Sequence, residues 1–144
     1  MMLACREYFC RWRRSPLRTM TQRVTLEQPP ERLVTVVETR AYLVRAADLL
    51  TEAEREDLKA MLAAAPECGT LIRGTGGLRK VRLALHGRGK SGGARTIYYY
   101  RNDSMPLFLL SIYAKNEKDN LSAAERGKLA DLVGLIVKTY GRRS

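Results

Sequence analysis

The residues of this sequence best equipped for chemistry are Lys80, Arg82, Arg95, Tyr113 and Lys115, and all stand in or beside strand-like runs. The runs are Leu78-Arg79-Lys80-Val81-Arg82-Leu83, Arg95-Thr96-Ile97-Tyr98-Tyr99-Tyr100-Arg101, and Leu107 to Lys115. Strand side chains alternate between faces, so Val81 and Leu83 are expected in a core with Lys80 and Arg82 on the opposite surface. By the same rule Phe108, Leu110 and Ile112 should share one face, and Ser111, Tyr113 and Lys115 the other. Tyr99 should stand beside Arg95 and Arg101, with Tyr98 and Tyr100 packed inward. A sheet with one apolar face and one face of lysine, arginine and tyrosine suits a phosphodiester backbone with stacked bases. Contact with RNA is the chemistry these types offer.

Charge points the same way. The 144 residues carry a net charge of +11, which favours an anionic partner. Residues 66–120 hold ten Lys/Arg against four Asp/Glu, whereas residues 32–65 hold five against six. The basic segment is the one with the three strands. Cys5, Cys10 and Cys68 are odd in number and lack CxxC spacing, and His86 stands alone, so neither a disulfide framework nor a zinc site is expected. No apolar run reaches the roughly 18 residues of a membrane span, and the expected setting is a reducing cytoplasm. Arg13-Arg14 lacks the apolar region an export signal needs downstream.

Those strands need elements to position them. Residues 1–31 have no clear period and read as a basic extension, with Met20 an alternative start; residues 32–144 read as one domain. Val34 to Glu38 is a β-branched run. Thr39 then offers a cap for a helix to Leu50, and Thr51-Glu52-Ala53-Glu54 is a capping box for a second helix that ends before Pro66. Gly69 to Gly77 reads as a loop. Ser122-Ala123-Ala124-Glu125 is another capping box, followed by Leu129, Leu132, Val133 and Ile136 at helical spacing up to about Tyr140. The expected fold is α+β, in the order β-α-α-β-β-β-α, with an antiparallel sheet packed against helices.

Ala84 to Ser91 satisfies a loose phosphate-loop pattern, but such a loop must open a helix, and Gly92-Gly93-Ala94 leads into a strand. It reads instead as a hairpin connection whose Arg88 and Lys90 either clamp a polynucleotide backbone or are solvated loop charge. His86, within it, reads as a surface residue.

Three segments then carry a resemblance: Gly74 to Arg82, Gly92 to Tyr100, and Tyr113-Ala114-Lys115-Asn116-Glu117-Lys118-Asp119-Asn120-Leu121-Ser122. Over about residues 34–140 the chain resembles the RelE/HigB-type toxins of bacterial toxin–antitoxin pairs. The resemblance implies a compact domain that enters the ribosomal A site, contacts 16S rRNA and cuts translated mRNA. It also implies a helix-turn-helix antitoxin, and through it indirect contact with operator DNA. The implied chemistry uses no cofactor or metal: the ribose 2′-hydroxyl attacks the adjacent phosphate, giving a 2′,3′-cyclic phosphate and a free 5′-hydroxyl. By motif position Lys80 is the expected base, Arg82 and Arg95 the phosphate holders, and Lys115 or Tyr113 the group assisting the leaving oxygen. Arg79, Arg88, Lys90, Tyr99, Arg101 and Lys118 complete the expected RNA-binding set. Asn116 and Leu121 depart from the best-known RelE pattern, which has arginine and tyrosine there; the Lys-Asn-Glu-Lys run is closer to the HigB-like branch. A non-catalytic RNA- or DNA-binding module and an inactive toxin homologue are the alternatives.

Overall fold

The computed structural model describes residues 32–85, 93–118 and 120–141. The elements are β1 (Val36–Glu38), α1 (Arg40–Leu49), α2 (Glu52–Ala64), β2 (Thr70–Leu71), β3 (Leu78–Leu83), β4 (Ala94–Tyr99), β5 (Leu107–Ala114) and α3 (Ala123–Tyr140). The expected extension 1–31 lies outside the described residues, as does the hairpin connection with His86, Arg88 and Lys90.

Each helix starts where a side chain satisfies its free backbone N–H groups. Thr39 Oγ1 accepts from the Tyr42 N–H and donates to the Leu109 carbonyl at 2.8 Å, so the residue that caps α1 also fastens it to β5. Thr51 with Glu54 and Ser122 with Glu125 form the two expected capping boxes, opening α2 and α3.

The sheet runs β1-β5-β4-β3-β2. β2 adds a fifth strand inside the segment expected to be a loop, where Thr70 and Leu71 pair with Lys80 and Arg79. β1 is shorter than expected and pairs with β5 in parallel, so the otherwise antiparallel sheet is mixed at one edge. β4 is central and buried along its whole length.

Both faces of the sheet are covered, which corrects the expectation of one apolar and one open face. Tyr42, Ala46 and Leu50 of α1 and its end, with Leu58 and Leu62 of α2, pack on Val81, Tyr98, Leu107, Leu109 and Ile112. Val133 and Ile136 of α3, with Leu121 before it, pack on Leu78, Ile97, Tyr99, Phe108, Leu110 and Tyr113 on the other face. β5 feeds both layers because its register shifts: Ile97 pairs with Ser111 but Tyr98 with Leu109, an irregularity that leaves Leu110 over. Ile112 therefore turns to the α1/α2 side while Phe108 and Leu110 stay on the α3 side, against the simple alternation expected.

Tyr98 knits the first layer to the loop after α2. Its hydroxyl donates to the Pro66 carbonyl and accepts from the Gly69 N–H, both at 2.8 Å, and burial pushes its ionisation above the ordinary phenol range. A Cβ on Gly69 would lie 2.6 Å from the Tyr98 oxygen, so only glycine fits this approach.

Candidate nucleic-acid interface

Two cross-strand rows build the site on the α3 side of the sheet. Arg82 of β3 faces Arg95 of β4, and Arg95 faces Tyr113 of β5; in the next row Lys80 faces Ile97, and Ile97 faces Ser111. The row Leu78–Tyr99–Phe108 beyond them is sealed under α3. The sheet thus changes along its strands from an apolar floor beneath α3 to a cationic platform at the other end.

The turn from β5 to α3 closes over that platform. The Lys115 N–H donates to the Gly93 carbonyl at 2.8 Å, which keeps Lys115 beside the Arg95 end of β4 with its own residue exposed. Asn120 Oδ1 accepts from Arg95 Nη1 at 3.3 Å and from Lys80 Nζ at 3.5 Å, joining side chains of two strands through one oxygen. Lys118 Nζ sits 5.0 Å from the Tyr113 ring centroid and pairs with Glu125 of α3. That ammonium, with the Ser122 backbone N–H, holds the Glu125 carboxyl down to about 2. Glu117 is drawn the other way, to Arg45 of α1 at 2.7 Å.

Among the described residues no carboxylate forms an ion pair with Lys80, Arg82, Arg95 or Lys115. Like charges directly opposite one another on neighbouring strands destabilise a sheet, and Arg82 opposite Arg95 is such a pair. An anion seated between them relieves that repulsion. No group of three or more His, Cys, Asp or Glu among the described residues could hold a metal ion.

The expected site residues divide accordingly. Lys80, Arg82 and Arg95 share one face, with Lys115 at its edge. Arg95 is only 7% exposed, so its guanidinium forms the bed of the platform, while Arg82 stands out in solvent. Tyr113 is on the same face but 3% exposed beneath Lys118, which corrects its expected place on an open surface. Tyr99 is 4% exposed under α3 and has no face to offer a base. Arg79 lies apart from them, pairing with Tyr98 on the α1/α2 side and donating to the carbonyls of Glu67 and Gly69 at 3.0 and 2.9 Å. Arg101 lies past the opposite end of β4 from Arg95. Arg88 and Lys90 lie outside the described residues. Asn120, which the sequence reading gave no part, is the side chain that joins Lys80 and Arg95; its signal was its place just ahead of buried Leu121 and capping Ser122, which fix where the turn must end.

Residues 51–141 match the family model described as the RelE toxin of the RelE/RelB toxin–antitoxin system. The chain belongs to the RelE toxin family. Among solved structures it is similar to a doubly substituted E. coli RelE toxin in the free state, at 20% identity and a TM-score of 0.47, over 67% of this chain and 96% of that one. As a RelE-type toxin of a toxin–antitoxin system, the chain has an antitoxin for a partner. The family match includes β3, β4, β5 and the turn before α3, so every residue of the platform falls within the RelE region. Among the described residues of this RelE-family chain, no helix is long and apolar enough to cross a membrane.

Proposed function

We propose that the chain is a ribosome-dependent endoribonuclease that cuts translated mRNA by attack of a ribose 2′-hydroxyl on the adjacent phosphate. The observation that supports this most is the convergence of Lys80 and Arg95 on one point, with Arg82 opposite Arg95 and no carboxylate among the described residues neutralising them. Three tasks follow from the reaction. Lys80 takes the 2′ proton as the oxygen attacks phosphorus. Arg95 and Arg82 carry the charge that builds on the non-bridging oxygens, the task in which fixed donors are worth most. Lys115, at the exposed edge, gives a proton to the departing 5′ oxygen. Tyr113 is assigned a supporting part, since Lys118 lies over its ring. The products are a 2′,3′-cyclic phosphate and a free 5′-hydroxyl. Lys118, at the rim, adds to the positive field that draws in mRNA and ribosomal RNA.

Induced expression in a bacterium should arrest growth and leave breaks in translated mRNA that primer extension can map. Lys80→Ala and Arg95→Ala should each lower cleavage by about 10²–10³-fold, the usual cost of removing a charge-stabilising group, while the purified variants stay folded. A wild-type chain that neither arrests growth nor cuts mRNA would leave a binding module or an inactive homologue as the better reading.

A further inference from the structure

Among the described residues Asn120 is the neutral side chain that touches both Lys80 and Arg95. A carboxamide has a single acceptor oxygen, whereas its nitrogen carries two donor hydrogens. Lys80 and Arg95 can only donate, so both must meet Oδ1, and the reverse orientation would set the NH2 group against N–H donors. The Asn120 amide nitrogen is therefore turned away from the pair, and Asn120 is exposed. Among the described residues Arg95 Nε is buried without a hydrogen-bond partner, so the guanidinium of this buried residue is steered from its Nη1 end. A carboxylate in place of the amide would order the same two groups but cancel charge that an RNA phosphate needs. An amide orders them and leaves their charge intact.

We infer that Asn120 is a positioning residue which holds Lys80 and Arg95 to a common point, beside which the phosphate of the RNA is seated. This deepens the nuclease reading and rests on it. It explains why the turn before α3 approaches the sheet at this point. The buried Leu121 and the Ser122 cap anchor the backbone just after Asn120, so the amide is delivered by a fixed structure.

Three measurements on the full chain test the inference: single-turnover mRNA cleavage on programmed ribosomes, binding of the same ribosomes carrying mRNA with 2′-deoxyribose at the cut position, and the Arg95 side-chain N–H resonances of the free protein by NMR. Asn120→Ala should lower cleavage by about 10- to 100-fold, as misplaced catalytic groups do, with binding reduced far less, and should shift the Arg95 resonances. Asn120→Asp, close to isosteric and expected to fold if the alanine variant does not, should keep Arg95 ordered yet weaken both cleavage and binding. Wild-type cleavage in either folded variant, or unmoved Arg95 resonances in Asn120→Ala, would overturn the role of Asn120 while leaving the nuclease reading in place. A wild-type chain that cuts nothing while its Arg95 signals respond to Asn120→Ala would remove the nuclease reading, and the inference with it.

Discussion

Arg79 and Arg82 belong to the same short strand and do opposite things. Arg79 spends its donors on two carbonyls of the loop after α2, whereas Arg82 projects into solvent opposite Arg95. Arg79→Ala should therefore cost about 1–3 kcal/mol of stability, the usual range for a charge-assisted hydrogen bond to a partly buried group, and leave cleavage by the folded fraction near wild type. Arg82→Ala should do the reverse, lowering cleavage by about tenfold or more at nearly unchanged stability. Urea unfolding beside a cleavage assay separates the two, and equal effects in both assays would refute the division. Strand alternation in the sequence was enough to set Lys80 with Arg82, and the motif to add Arg95. It was not enough for the tyrosines. Whether Tyr99 or Tyr113 is open depends on what a later segment of chain lays across it, and neither residue type nor spacing carries that information.

At the scale of elements, the helix starts were the most legible features. A Ser or Thr with Glu three residues on is a local device whose hydrogen bonds close within one turn, so Thr51 and Ser122 could be read without knowing the fold. The irregularity in β5 was hidden for the opposite reason: an extra residue is defined only against the partner strand, and Leu107 to Ala114 alone looks regular. α3 offers two measurable consequences. Gly134 is exposed and a Cβ there would meet nothing within 4 Å, so Gly134→Ala should stabilise the protein by about 0.5–1 kcal/mol in urea or thermal unfolding. The second concerns acid. Glu125 has its carboxyl lowered from 4.5 to about 2 in the folded chain, so its contribution to stability is complete above about pH 4.5 and fades as the pH falls toward 2. Glu125→Gln should flatten that part of the profile of Tm against pH. Parallel profiles for the two proteins would show that the Lys118 pairing adds nothing. Because Glu125 is 40% exposed, its effect should also shrink as salt is raised.

The molecule as a whole separates its tasks by face. α1 and α2 close one side with apolar contacts and an ion-pair cluster in which Glu38 meets Arg55 at 3.2 Å and Lys59 at 3.6 Å, while excess positive charge gathers on the other side beyond α3. Net charge and its concentration in residues 66–120 placed the basic surface on the segment of the three strands from composition alone. The two-sided covering of the sheet was not legible there, because every apolar residue of a central strand such as β4 fits either face equally well. Residues 1–31 are proposed to be dispensable, since the RelE family match begins at residue 51. A chain beginning at Glu31 should unfold at the same temperature and cut mRNA at the same rate as the full chain; a lowered Tm or lost solubility would give the extension a structural part.

β1 has its partner late in the chain: Thr39, at its end, donates to a carbonyl 70 residues further on, and the Lys80–Arg95 junction waits for Asn120 as well. Contacts of such long separation form slowly and only after most of the polypeptide exists. A nascent chain still short of that turn holds the arginines and lysines but nothing to gather them, so the Lys80–Arg95 junction assembles only when synthesis is nearly complete.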